Sequence, residues 1–260
     1  MPTTVNDLFA YANVVRSGAV RWGRPVPLRA AGVYIVATSE DPDQREGLIE
    51  CPIDPEAVAQ LVRVRPEIQI DETPADAGSL TLRLRAMWPD GETVVYIGKA
   101  GTDTSHRVTQ FYGTRIGARA PHAGGWPVKM LDTGRLWVHY GAAAKPGQAE
   151  EAMVMRFAEA VPLDVRGGLI DSSAPLPYAN LEYPIGRRKA HGIRGARELR
   201  RKPTSSHELA TLPGARYVDP SEHVEPVAFA ASFGRHVPKT DYGICVDCFT
   251  HFTPAGACAC

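Results

Sequence analysis

Val95-Tyr96-Ile97-Gly98-Lys99-Ala100 is the stretch on which the reading of the fold turns. β-Branched and aromatic residues fill its first half, glycine marks a bend or a close approach of backbone, and lysine follows. It reads as a half-buried strand opening into a turn, where an ammonium can meet a phosphate as a point charge. Upstream, Gly32-Val33-Tyr34-Ile35-Val36 has the same character. Either string alone is ordinary sheet core. Two such strings, each with a central tyrosine, predict neighbouring strands.

The segment from Gly101 to Tyr112 passes from a polar cap region into a helix, with Arg107 in its first turns and Phe111-Tyr112 as core or sheet cover. Arg107 also reads as a solvated helix arginine, Arg115 competes with it, and His106 is a donor supporting the site from behind or simply exposed. A glycine-rich loop from Gly117 to Trp126 carries His122. It precedes an amphipathic segment, Val128 to Leu131, and a strand, Leu136 to Tyr140. In the helix from Gln148 to Phe157, Met153, Val154 and Phe157 follow Glu150 at helical spacing and put it on the apolar face. A carboxylate there is costly unless it is paired or binds a metal. Glu151, one step round the helix, is the alternative.

This succession resembles the GIY-YIG nuclease family, over about Ala31 to Asn180. The resemblance implies a small sheet that gathers Tyr34, Tyr96, Lys99, Arg107 and Glu150 around one divalent ion, Mg²⁺ or Mn²⁺. Glu150 would hold the ion, and Arg107 with Lys99 would stabilise the phosphorus. Tyr34 would accept a proton from the attacking water if cations or the metal lowered its pKa, and Tyr96 would orient water or phosphate. His122 matches a phosphate or water contact, or is a turn histidine with no role. Asn180, in Pro177-Tyr178-Ala179-Asn180, matches the asparagine beyond the family's helix.

The two tyrosine strings stand much further apart than a tight hairpin needs. Asp54-Pro55 opens an inserted helix, with aspartate as N-cap and proline at the first helical position. Ser79 to Met87 alternates toward an extra strand, and Pro89-Asp90-Gly91 turns into the second string. The 260 residues, 44% hydrophobic and 22% charged, suffice for one medium domain and a smaller module. With 29 basic and 29 acidic side chains the average charge decides nothing about partners, so its distribution matters more. From Arg187 to Lys202 there are eight Lys or Arg and one Glu. That local field suits a phosphate backbone, and a solvated linker is the plain alternative. Candidate nucleic-acid contacts are Arg115, Asn180, Arg187, Arg188, Lys189, Arg194, Arg200 and Arg201.

Four of the five cysteines fall at the end, Cys245, Cys248, Cys258 and Cys260, with nine residues between the pairs. Two thiol pairs across a short loop can wrap one structural Zn²⁺, and His251 can replace one sulfur. Cys51 stands apart and reads as a buried small residue. The N-terminus lacks the apolar core of a signal peptide, and no run approaches the about 20 residues of a membrane span. Cytoplasm is therefore the expected compartment, where zinc is favoured over disulfides.

The expected architecture is α/β, a small mixed or antiparallel sheet flanked by helices with a C-terminal zinc-binding tail. Residues 1–186 form the GIY-YIG-like domain with an insertion at about 38–92, 187–206 a basic linker, and 207–260 a region ending in a four-cysteine zinc knuckle. The expected function is metal-dependent hydrolysis of phosphodiester bonds in double-stranded DNA, in restriction, phage defence or repair. A fold-retaining nucleic-acid-binding module without catalysis is one alternative. A zinc-stabilised protein-interaction module, with the tyrosine hydroxyls buried or scattered, is the other.

Overall fold

The structure is a computed structural model that describes residues 2–198 apart from Ala123 and Ile185. Cys245, Cys248, Cys258, Cys260 and His251, with Arg200 and Arg201, lie outside the described residues, as does the region 207–260. In chain order the elements are α1 (Val5–Tyr11), β1 (Gly18–Arg21), β2 (Gly32–Ala37), α2 (Pro55–Val64), β3 (Gln69–Ile70), β4 (Thr73–Pro74), α3 (Ala77–Arg85) and β5 (Val94–Ala100). There follow α4 (Thr104–Gly113), a 3₁₀ turn (Trp126–Met130), β6 (Trp137–Ala142), α5 (Pro146–Ala160), α6 (Leu163–Gly168) and β7 (Ile193–Arg194).

The two tyrosine strings are β2 and β5, adjacent and antiparallel in a four-stranded sheet of order β1-β6-β2-β5. The register places Gly18, Tyr140, Tyr34 and Gly98 in one row across it. Both tyrosine strands are buried on both faces, which is why they read as nearly continuous apolar runs. Val33, Ile35 and Ile97 pack with residues of α1 and α5, among them Leu8, Phe9, Met153 and Phe157. Tyr34, Val36, Tyr96 and Tyr140 face the other way, into a core shared with α2, α3, α4 and the 3₁₀ turn.

Asp54 caps α2 as expected, accepting from the Glu56 and Ala57 amides. Residues 79–87, expected to be a strand, are instead mostly helix α3. Asp76 caps it through the Ser79 amide at 2.7 Å, and Leu80 and Leu84, four apart, are buried while Leu82 is 67% exposed. The alternating leucines thus misled, because only every second one is core. Pro89-Asp90-Gly91 does turn the chain, with the Glu92 amide donating to Pro89 O and Gly91 at φ 75°.

The basic stretch is not a linker as far as Glu198. β7 pairs with β3, which also pairs with β4, and the Glu198 amide donates to Gly117 O. Arg65, the C-cap of α2, donates to Gly195 O and Arg197 O. The inserted segment therefore serves as the bed on which this strap lies. No helix among the described residues is long and apolar enough to cross a membrane.

Candidate active site

Tyr34 and Tyr96 leave the sheet on one face, with ring centroids 6.1 Å apart. Gly98 makes this possible, since a Cβ there would lie 2.7 Å from both Tyr34 Cζ and Tyr96 Cε1. The glycine-rich loop folds back over the pair. At Gly125, held at φ 62°, a Cβ would come 2.9 Å from Phe111 Cζ and Tyr96 Cε2, so bare backbone lies on the rings.

That loop delivers His122, which the sequence suggested as a phosphate or water contact. It is buried instead, stacked on Phe111 at 4.1 Å with an 8° tilt, and its amide donates to Thr114 Oγ1. Nδ1 faces Gly124 O at 2.9 Å, and a carbonyl only accepts, so the ring proton sits on Nδ1. Nε2 is then free to accept the Tyr34 hydroxyl proton at 2.9 Å. Burial first, and the Arg107 charge second, push the imidazole pKa down to about 3 and keep it neutral.

Burial also raises the Tyr34 phenol well above its usual value, with Tyr96 adding and Arg107 opposing. Tyr96 is raised by burial and by the Glu150 charge, again with Arg107 opposing. A phenol lowered by cations or the metal was the condition for Tyr34 to accept a proton; in the resting fold burial outweighs Arg107 and both phenols stay protonated. Tyr34 is 1% exposed and Tyr96 9%, so the two tyrosines are gathered on one face but buried, and burial is what the protein-interaction alternative expects of them.

Arg107 is the fourth residue of α4, whose start is fixed by Asp103 capping the His106 amide and by Thr104 bonding Ala30 O. It is half-buried, and its charge acts on Tyr34, Tyr96, His122 and Glu150 alike. Glu150 sits beside the buried stripe of α5, whereas Glu151 is exposed. The Glu150 carboxyl is raised by burial and pulled back by Lys99 and Arg107. Lys99, expected beside Arg107 at the phosphorus, stands two residues from Ile97 and shares its face of the sheet, opposite the tyrosines. There its ammonium holds Glu150 Oε2 at 3.2 Å. Among the described residues no three His, Cys, Asp or Glu side chains cluster as metal ligands.

Two expected nucleic-acid contacts are corrected. Asn180 is buried, and its amide accepts from Ile97 N and donates to Ile97 O, both at 2.9 Å. It thus completes the outer edge of β5 in place of a fifth strand. Lys189 is buried with Nζ donating to the carbonyls of Leu176, Pro177 and Tyr178, so it clamps the turn that presents Asn180. Arg115, Arg187, Arg188 and Arg194 are exposed. Arg187 is held by Ser173 Oγ at 2.6 Å, Arg188 by Glu182 at 3.3 Å and Arg194 by Glu72 at 3.1 Å.

Sequence reasoning missed Lys129, whose Nζ donates to Tyr112 O at 3.0 Å and to Thr114 O. It pins the end of α4 and with it the Thr114 hydroxyl that receives the His122 amide. A lysine inside the apolar turn Trp126-Pro127-Val128-Lys129-Met130 was the available signal. No family model, curated protein or solved structure matches the chain.

Proposed function

We infer that the chain is a GIY-YIG-like, metal-dependent endonuclease acting on DNA. The observation that carries this reading is the Tyr34–His122 hydrogen bond, set beside Tyr96 and within the fields of Arg107 and Glu150. A buried acid, a guanidinium and a hydroxyl already bonded to a neutral base are the parts that hydrolysis of a phosphodiester needs.

The residues suit a divalent cation. Lys99 engages one Glu150 oxygen, and Mg²⁺ or Mn²⁺ asks for one or two carboxylates, with waters and substrate phosphate completing its shell. Bound there, such an ion would neutralise charge growing on the phosphate and leaving oxygen. Tyr34 would accept a proton from the attacking water once a bound ion offsets the burial that holds its hydroxyl protonated, and His122 Nε2 keeps that hydroxyl in position. Arg107 stabilises the pentavalent phosphorus, and Tyr96 orients the water or the phosphate.

A cytoplasmic setting, a role in restriction, phage defence or repair, and a Zn²⁺-stapled tail complete the reading. A second reading, a nucleic-acid-binding module without chemistry, is favoured by one observation: an ammonium already neutralises Glu150. Incubating the purified protein with plasmid and short duplexes in Mg²⁺ or EDTA, beside Arg107→Ala and Glu150→Ala, separates the two. Cutting by the wild type alone, and only with metal, supports the nuclease; strand binding without cutting supports the module.

A further inference from the structure

Glu150 is engaged by cations in the resting fold. The Lys99 ammonium lies 3.2 Å from its Oε2, both side chains are half-buried, and the Arg107 charge acts on the same carboxylate. One negative charge thus faces two positive ones. A divalent ion brought to the other carboxylate oxygen would be repelled by both, and in a half-buried setting that repulsion is poorly screened. Among the described residues no cluster of three His, Cys, Asp or Glu adds the missing negative charge. The anion that balances such an ion is therefore one that the chain binds.

The seat of the ammonium is a poor one. A Cβ at Gly147 would lie 3.8 Å from Lys99 Nζ, so the ammonium rests against the first turn of α5. That turn has no side-chain cap and no acid, and the positive end of a 15-residue helix disfavours a cation. The attraction of Glu150 is what holds Lys99 there. Its flexible four-carbon stem lets the ammonium follow another anion at small cost.

We propose that Lys99 is the internal counter-ion of Glu150 and passes to a strand phosphate when substrate binds, so that the chain takes up its divalent ion together with the strand and weakly without it. The inference rests on the nuclease reading and deepens it, since it says how that site is regulated. The phosphate gives Lys99 another partner and leaves both Glu150 oxygens to the ion. Linkage then makes the effect reciprocal, ion and strand each tightening the binding of the other.

The test is Mn²⁺ binding by the full chain at one fixed pH, read from the electron paramagnetic resonance signal of the free ion, with Glu150→Gln as the baseline. Without DNA, Lys99→Met is expected to hold Mn²⁺ about tenfold or more tightly than the wild type, while Lys99→Arg, which keeps the charge, binds as weakly as the wild type does. A short duplex is then added in a Tyr34→Phe background, where cutting is slow, and ions on the duplex itself are subtracted through Glu150→Gln with the same duplex. The duplex is expected to tighten Mn²⁺ binding about tenfold more with Lys99 in place than with Lys99→Met. Lys99→Met that unfolds at the wild-type midpoint yet binds Mn²⁺ no more tightly would overturn the proposal. So would an equal gain in Lys99→Arg, or a duplex that leaves Mn²⁺ binding unchanged with Lys99 in place. Mn²⁺ binding that needs Glu150 and tightens in Lys99→Met, without any cutting of DNA, supports the counter-ion and sinks the chemistry. Metal-dependent cutting by a wild type whose Mn²⁺ affinity Lys99→Met leaves unmoved sinks the counter-ion alone.

Discussion

The Tyr34 hydroxyl gives its hydrogen bond to Nε2 of His122, across 2.9 Å and between residues 88 positions apart in the chain. The imidazole is neutral, its other nitrogen is committed to Gly124 O, and Phe111 fixes the ring plane. A tyrosine so held has its hydroxyl fixed in direction before any substrate arrives.

The buried, neutral His122 predicts a pH dependence of stability. An unfolded histidine takes a proton near pH 6.5, whereas folded His122 holds out to about 3. Between these values the unfolded chain binds the extra proton, so stability falls as pH falls through that window. Denaturant unfolding at pH 7 and pH 5 should show the wild type losing about 2 kcal/mol more than His122→Gln. Equal losses would mean that His122 is not held neutral.

Gly98 predicts a steric effect with a built-in control. Gly98→Ala puts a methyl group 2.7 Å from both tyrosine rings, while a Cβ at Gly101 meets nothing within 4 Å. Gly98→Ala should cost about 1–3 kcal/mol by overpacking and displace the two tyrosine rings. Gly101→Ala should stay within about 0.5 kcal/mol of wild type. Thermal unfolding of the pair measures the difference.

Asn180→Leu should act on the sheet. It leaves Ile97 N–H and C=O unpaired at the covered edge of β5, a loss of about 2–4 kcal/mol. Hydrogen exchange at the Ile97 amide should accelerate more than that at Ile35 in the sheet interior. Protection unchanged at Ile97 would return Asn180 to the candidate strand contacts.

The Lys99–Glu150 pair should show as coupling. Lys99 is 28% and Glu150 16% exposed, so the pair is worth less than a fully buried one, about 1–2 kcal/mol. A double-mutant cycle with Lys99→Met and Glu150→Gln, read by denaturant unfolding, should return that coupling. A value near zero would mean that the ammonium and carboxylate are held apart in solution.

Much of this centre was legible because local chemistry and global fold agree. Valine, isoleucine and glycine around Tyr34 and Tyr96 announce strands, Asp54-Pro55 announces α2, and Glu150 stands against an apolar stripe. The leucines at 80, 82 and 84 misled because alternation and helical spacing share the pair four apart. The Asp76–Ser79 cap, present in the sequence, was the signal that decides. Lys189 and Asn180 were misjudged because composition marks a residue as polar, while its partners here are carbonyls and an amide fixed by distant chain. His122 meeting Tyr34 rests on a loop folding back over the sheet, which no window of sequence displays.

The most direct test of the account is single-turnover cleavage of DNA by wild type and Tyr34→Phe, each in Mg²⁺ and in EDTA. The wild type should cut only with metal, and Tyr34→Phe should be at least about 100-fold slower while its unfolding midpoint shows it still folded. Tyr34→Phe cutting at the wild-type rate, or a wild type that cuts no DNA in Mg²⁺, would contradict it.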